Sequence, residues 1–110
     1  MINQTIQALE FRIQNAQTLT TAQREELQTL VSNLRQEVQD LAKTHQEAAD
    51  SILRFADVTT NEGLRGHKDP KLLAIAVDGI RASVERFEKT HPVLTRTVND
   101  IATYFSNLGI

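Results

Sequence analysis

The sequence predicts an all-α protein, an antiparallel helical bundle with one long coiled-coil-like helix, completed by homo-oligomerisation. Three observations predict it. Apolar residues return at alternating intervals of three and four along most of the chain, which gathers them on one side of a helix. No Gly or Pro interrupts residues 20–61. The chain has 110 residues and no Cys or Trp, so disulfides, thiolate metal sites and Cys nucleophiles are excluded. That length is one helical domain, residues 1–110, with helices over 3–17, 21–58, 70–90 and 92–108 and a loop over 59–69.

The first helix, 3–17, carries Ile6, Leu9, Ile13 and Ala16 on one stripe. Thr18, Thr20 and Thr21 favour a break after it, because β-branched hydroxyl residues compete with helical hydrogen bonding. Thr20 with Gln23 three residues on reads as a capping box for the next helix.

The second helix, 21–58, gives the clearest signal. Leu27, Val31, Leu34, Val38, Leu41, His45, Ala48, Ile52 and Phe55 alternate strictly at four and three. A straight helix of that length would be roughly 55 Å long, and patterns longer than about 25 residues point to a coiled coil, a membrane span or a repeat. Its many Gln, Glu, Arg and Asp exclude the membrane option. The flanking positions hold Gln28, Arg35, Ala42 and Ala49 on one side and Leu30, Glu37, Thr44 and Ser51 on the other, so few of them are charged. Small or apolar flanks widen the buried stripe, so this helix needs more than one neighbour, and a second subunit is expected to supply the rest. On that reading Val38→Asp should disrupt assembly.

Two glycines and several turn formers mark 59–69 as a loop. Asp69-Pro70 then opens the third helix, with Asp capping the amides and Pro at the first helical position. Leu73, Val77, Ile80, Val84 and Phe87 form its core stripe, and Gly79 inside it suggests close backbone approach. Pro92 ends that pattern and begins a fourth helix with Leu94, Val98, Ile101, Phe105 and Leu108. Gly109 is placed to close it as a left-handed cap with Ile110 packing back.

Two stretches carry a family resemblance: Val84-Glu85-Arg86-Phe87-Glu88 followed by His91-Pro92 and Leu94, and the ending Leu108-Gly109-Ile110. Together they resemble the C-terminal signature of a family of short, uncharacterised bacterial proteins of unknown function. The resemblance covers about the last thirty residues and implies a helical fold and a bacterial source. It implies no activity.

The functional expectations follow from what remains. Fourteen acidic against twelve basic residues give a net charge of −2. Residues 1–60 hold five basic and eight acidic groups, net −3, and residues 61–110 hold seven and six, net +1. Neither half concentrates positive charge as a nucleic-acid footprint does, so a nucleic-acid partner is not expected. His45 reads as a polar seam residue and His91 as a turn residue before Pro92. With His67, they show no metal-ligand spacing, so no metal, cofactor or catalytic residue is expected. Arg65, His67, Lys68 and Lys71 are candidate anion contacts beside a helix N-terminus, without nucleotide-loop spacing.

The expected role is a non-enzymatic structural or adaptor protein acting through self-association and helix-mediated contacts. Its expected partners are itself, as a homodimer or tetramer, and another protein. The rival reading is a nucleic-acid or anion-binding regulator using residues 63–96. No segment reads as a signal peptide or membrane span, which makes cytoplasmic residence the default expectation.

Overall fold

The computed structural model describes residues 2–108, and every regular element among them is helical. Five α-helices follow in order: α1 Ile2–Gln14, α2 Thr21–Ala42, α3 Gln46–Gly63, α4 Pro70–Ala82 and α5 Pro92–Leu108, with a single 3-10 turn at Glu85–Phe87 between the last two. The cap expected at Gly109 and Ile110 lies outside the described residues.

The helix starts follow the local chemistry of the sequence. The Thr20 hydroxyl accepts from the Gln23 amide at 3.1 Å, and the Gln23 side chain accepts from the Thr20 amide at 2.9 Å, closing the capping box. The Asp69 carboxylate accepts from the amides of Lys71 and Leu72, with Pro70 at the first helical position.

Helix α1 stops at Gln14, three residues short of expectation, because a side chain takes over its carbonyls. The Arg24 guanidinium, projecting from α2, donates to the carbonyls of Ile13, Gln14, Ala16 and Leu19 at 2.5–3.4 Å. One cation thereby satisfies the orphan acceptors at the end of α1 and fixes the turn into α2.

The long helix 21–58 does not exist as one rod. It breaks at Lys43–His45 into α2 and α3, which pack against each other. Neither Gly nor Pro is needed for the break. Thr44 turns its hydroxyl to the Leu41 carbonyl and to His45 Nδ1, and His45 leaves helical geometry at φ −139°, ψ 65°. The fold-back costs a few helical hydrogen bonds and lets the two halves of one stripe cover each other within the chain. Leu27, Val31, Leu34, Val38, Leu41, Ala48 and Ile52 are all buried in a single copy. His45 is no seam residue; it sits exposed at the start of α3.

Two further expectations are corrected. Residues 59–63 belong to α3, so the loop is 64–69. The helix 70–90 ends at Ala82 and gives way to the 3-10 turn, which still buries Val84 and Phe87.

Around the bundle, α1 lies on α2 and α3, α5 packs on α2 and α4, and α4 returns against α3. Ile6, Leu9 and Ile13 from α1, Leu73, Val77 and Ile80 from α4, and Leu94, Val98, Ile101 and Phe105 from α5 join one core, with Leu108 partly buried at its edge. The core needs no second chain to close. The longest dimension of the Cα trace is 37 Å, too short for the expected rod.

Candidate functional site

Helices α3 and α4 approach closely because of two small details. The Thr59 hydroxyl is within hydrogen-bond reach of the Phe55 carbonyl, at 2.7 Å, and of the Ala76 carbonyl across the seam, at 3.2 Å. Gly79 leaves room for the Phe55 ring, which lies 2.6 Å from where a Cβ at that position would stand. These two contacts set an antiparallel register, Phe55 beside Gly79 and Thr59 beside Ala76. The close backbone approach expected at Gly79 is there.

That register exposes an apolar face. On α4 the core takes Leu73, Ala76, Val77 and Ile80, and about 100° of rotation per residue carries Leu72, Ile75 and Gly79 onto the neighbouring outer stripe. Leu72 is 44% and Ile75 59% exposed. Across the seam, Phe55 is 41% and Val58 48% exposed. Four of the six large exposed apolar residues among those described therefore share the outer side of one hairpin; the others are Phe11 and Val93. Phe55 was expected in the core. It lies at the edge because Ala49, Leu53, Ala56 and Thr60 occupy the buried side of α3. At the margin of this face stand the exposed Lys71 and Asp78, neither of which makes an ion pair among the described residues.

The sequence treats His45 and His91 as unrelated, but the fold joins them. Their rings and that of Phe87 meet edge-on, with centroids 5.3 Å (His45–Phe87), 5.6 Å (Phe87–His91) and 6.2 Å (His45–His91) apart. Each histidine Nδ1 is hydrogen-bonded to the hydroxyl of the preceding threonine, Thr44 at 2.8 Å and Thr90 at 3.0 Å. The signal that could have linked them is the repeated Lys-Thr-His at 43–45 and 89–91, each just before a helix start. Among the described residues no cluster of three or more His, Asp or Glu is arranged to hold a metal ion.

Of the candidate anion contacts, Arg65 already has a partner within the chain. Arg65 donates to Glu62 at 2.8 Å, and that hydrogen bond, with the charge behind it, raises the Arg65 pKa above its ordinary value. His67 is exposed in the loop, Lys68 is half-buried, and Lys71 belongs to the outer face of α4.

A second surface was not foreseen. An open groove of about 1070 Å³ runs between α1 and the end of α3, lined among others by Ala8, Phe11, Asn61 and Leu64. Phe11 is 71% exposed on its rim. The Arg12–Asp57 ion pair, at 2.9 Å, ties the two helices together beside it. Elsewhere, the Tyr104 hydroxyl donates to the Gln23 carbonyl at 2.8 Å, joining α5 to α2. Burial, and to a lesser degree the charge of Glu26, raises the Tyr104 pKa above its usual value. No helix among the described residues is long and apolar enough to cross a membrane.

Comparison with known protein families finds a match over the second half of the chain. A family model described as Domain of unknown function (DUF4404) covers residues 56–110, from the middle of α3 onward, and so includes Val58, Leu72 and Ile75. Neither the curated proteins nor the solved structures include a match.

Proposed function

Since this chain belongs to the DUF4404 family, whose function is unknown, we propose from its own surfaces that it is a structural or adaptor protein acting through self-association and helix-mediated contacts. The observation that carries the reading is the outer face of the α3–α4 hairpin, where Phe55, Val58, Leu72 and Ile75 stand together in water. Scattered apolar residues are ordinary on a surface, whereas a grouped set on one rigid hairpin is the usual mark of a contact face. Covering it returns free energy at roughly 25 cal/mol per Å² of apolar area.

The motive for association thus moves from the long stripe, which the chain covers by itself, to this hairpin.

The test is the mass in solution across a concentration series, by sedimentation equilibrium or light scattering. The expected result is a rise from the 12.4 kDa monomer toward twice that mass between micromolar and millimolar protein. A mass that stays at 12.4 kDa over the whole range would overturn self-association.

A further inference from the structure

The outer face of α4 carries a charge pattern that specifies what covers it. Lys71 and Asp78 are both exposed and seven residues apart, so they lie two turns apart along the same edge of the helix. Leu72 and Gly79 form the next row, again seven apart, and Ile75 lies midway between the two ends. When two identical helices pack antiparallel about a two-fold axis, each edge row faces its own copy in reverse order. With the axis at Ile75, every pair of facing residues has numbers summing to about 150. Lys71 then meets Asp78, and Leu72 meets Gly79, where the Phe55 ring lies.

We infer that a second copy of this chain docks antiparallel on the outer face of α4. Ile75 packs on the partner's Ile75, and Leu72 packs against the partner's Phe55 and Gly79. Lys71 pairs with the partner's Asp78 at both ends of the contact. A parallel two-fold pairing would instead set this edge row against the opposite edge of the partner helix, where Lys71 and Asp78 do not meet, so only the antiparallel orientation brings the two charges together. This inference rests on the self-association proposed above and adds the surface, the direction and the contacts.

The experiment is a charge exchange on the full chain, read as the dimer dissociation constant by sedimentation. Lys71→Asp alone and Asp78→Lys alone each place two like-charge pairs across the contact, and each is expected to weaken the dimer about tenfold. The double variant Lys71→Asp/Asp78→Lys restores opposite charges at both ends and is expected to return to within about twofold of the original constant. Ile75→Asp is expected to leave a monomer. All three positions are exposed, so far-ultraviolet circular dichroism and the melting temperature, taken at dilutions where the wild type is itself monomeric, should stay unchanged and separate lost association from lost folding. A wild-type dimer indifferent to Ile75→Asp would overturn this inference while leaving self-association intact through another surface. A double variant no tighter than the singles would overturn the antiparallel direction. A wild-type chain that stays monomeric would overturn both the inference and the reading beneath it, and the face would then belong to a different protein.

Discussion

Val38→Asp is expected to unfold the protein rather than to dissociate an assembly. Val38 has no exposed surface in a single copy, and the neighbouring Leu34 and Leu41 on its stripe have none either. A carboxylate placed there either stays ionised in an apolar core or takes up a proton and remains a buried, unsatisfied polar group. Either outcome costs several kcal/mol, against a total stability of about 5–15 kcal/mol for a domain of this size. The measurement is the helical circular dichroism signal together with the urea midpoint. Loss of both at modest urea is expected. A variant that kept its helix content and midpoint while losing only its solution mass would return Val38 to an intermolecular seam. The contrast with Ile75→Asp is direct, because the same charge on the outer face of α4 has solvent beside it.

The second large effect is at Phe105, a fully buried ring on α5. Phe105→Ala should cost about 3–5 kcal/mol, some from lost burial and some from the cavity left behind. For a chain of this length that lowers the melting temperature by about 15 °C or more. Its partner is Gly63 at the end of α3, where an added Cβ would lie 2.2 Å from the ring. The backbone does not demand Gly here, since no residue has a positive φ among those described. Gly63→Ala alone gains helix propensity, up to about 1 kcal/mol, but collides with the ring. A net loss of about 1–3 kcal/mol is expected, as for other overpacked cores. In the Phe105→Ala background the collision is gone, and Gly63→Ala should become neutral or stabilising. A substitution that changes sign with its neighbour is the signature of direct contact. Simple additivity would mean that the two residues do not touch.

Much of the fold was legible because its signals are local. The Thr20 capping box and the Asp69-Pro70 start depend on residues within a turn of one another, and both are present. The three-four spacing likewise places Ile6, Leu9 and Ile13 of α1, Leu73, Val77 and Ile80 of α4, and Leu94, Val98, Ile101 and Phe105 of α5 in the core, while Val84 and Phe87 reach it from outside α4. The break at Lys43–His45 was hidden for a physical reason. The four-three spacing runs unbroken through Leu41, His45 and Ala48, so periodicity alone describes a straight helix as well as a hairpin. What decides between them is tertiary: the hairpin buries both halves at once, and a lone rod buries neither.

The candidate site was less visible for the same reason. Phe55 and Ile75 lie on different helices, and only the Phe55–Gly79 and Thr59–Ala76 contacts bring their stripes together. Thr59 and Thr60 looked like loop residues by composition. They are helical and buried, and the Thr59 hydroxyl finds its acceptors in Phe55 and Ala76.

Everything proposed for the outer face depends on the long stripe being covered inside one chain. Paired spin labels test this directly, and the absence of native cysteine makes Glu25→Cys with Asn61→Cys a clean labelling pair at exposed positions. Labelled protein diluted into an excess of unlabelled chain reports distances within one copy only. The fold-back of α3 on α2 predicts a separation well under the 37 Å length of the molecule. A separation above about 50 Å, the span of an unbroken helix between those residues, would contradict it.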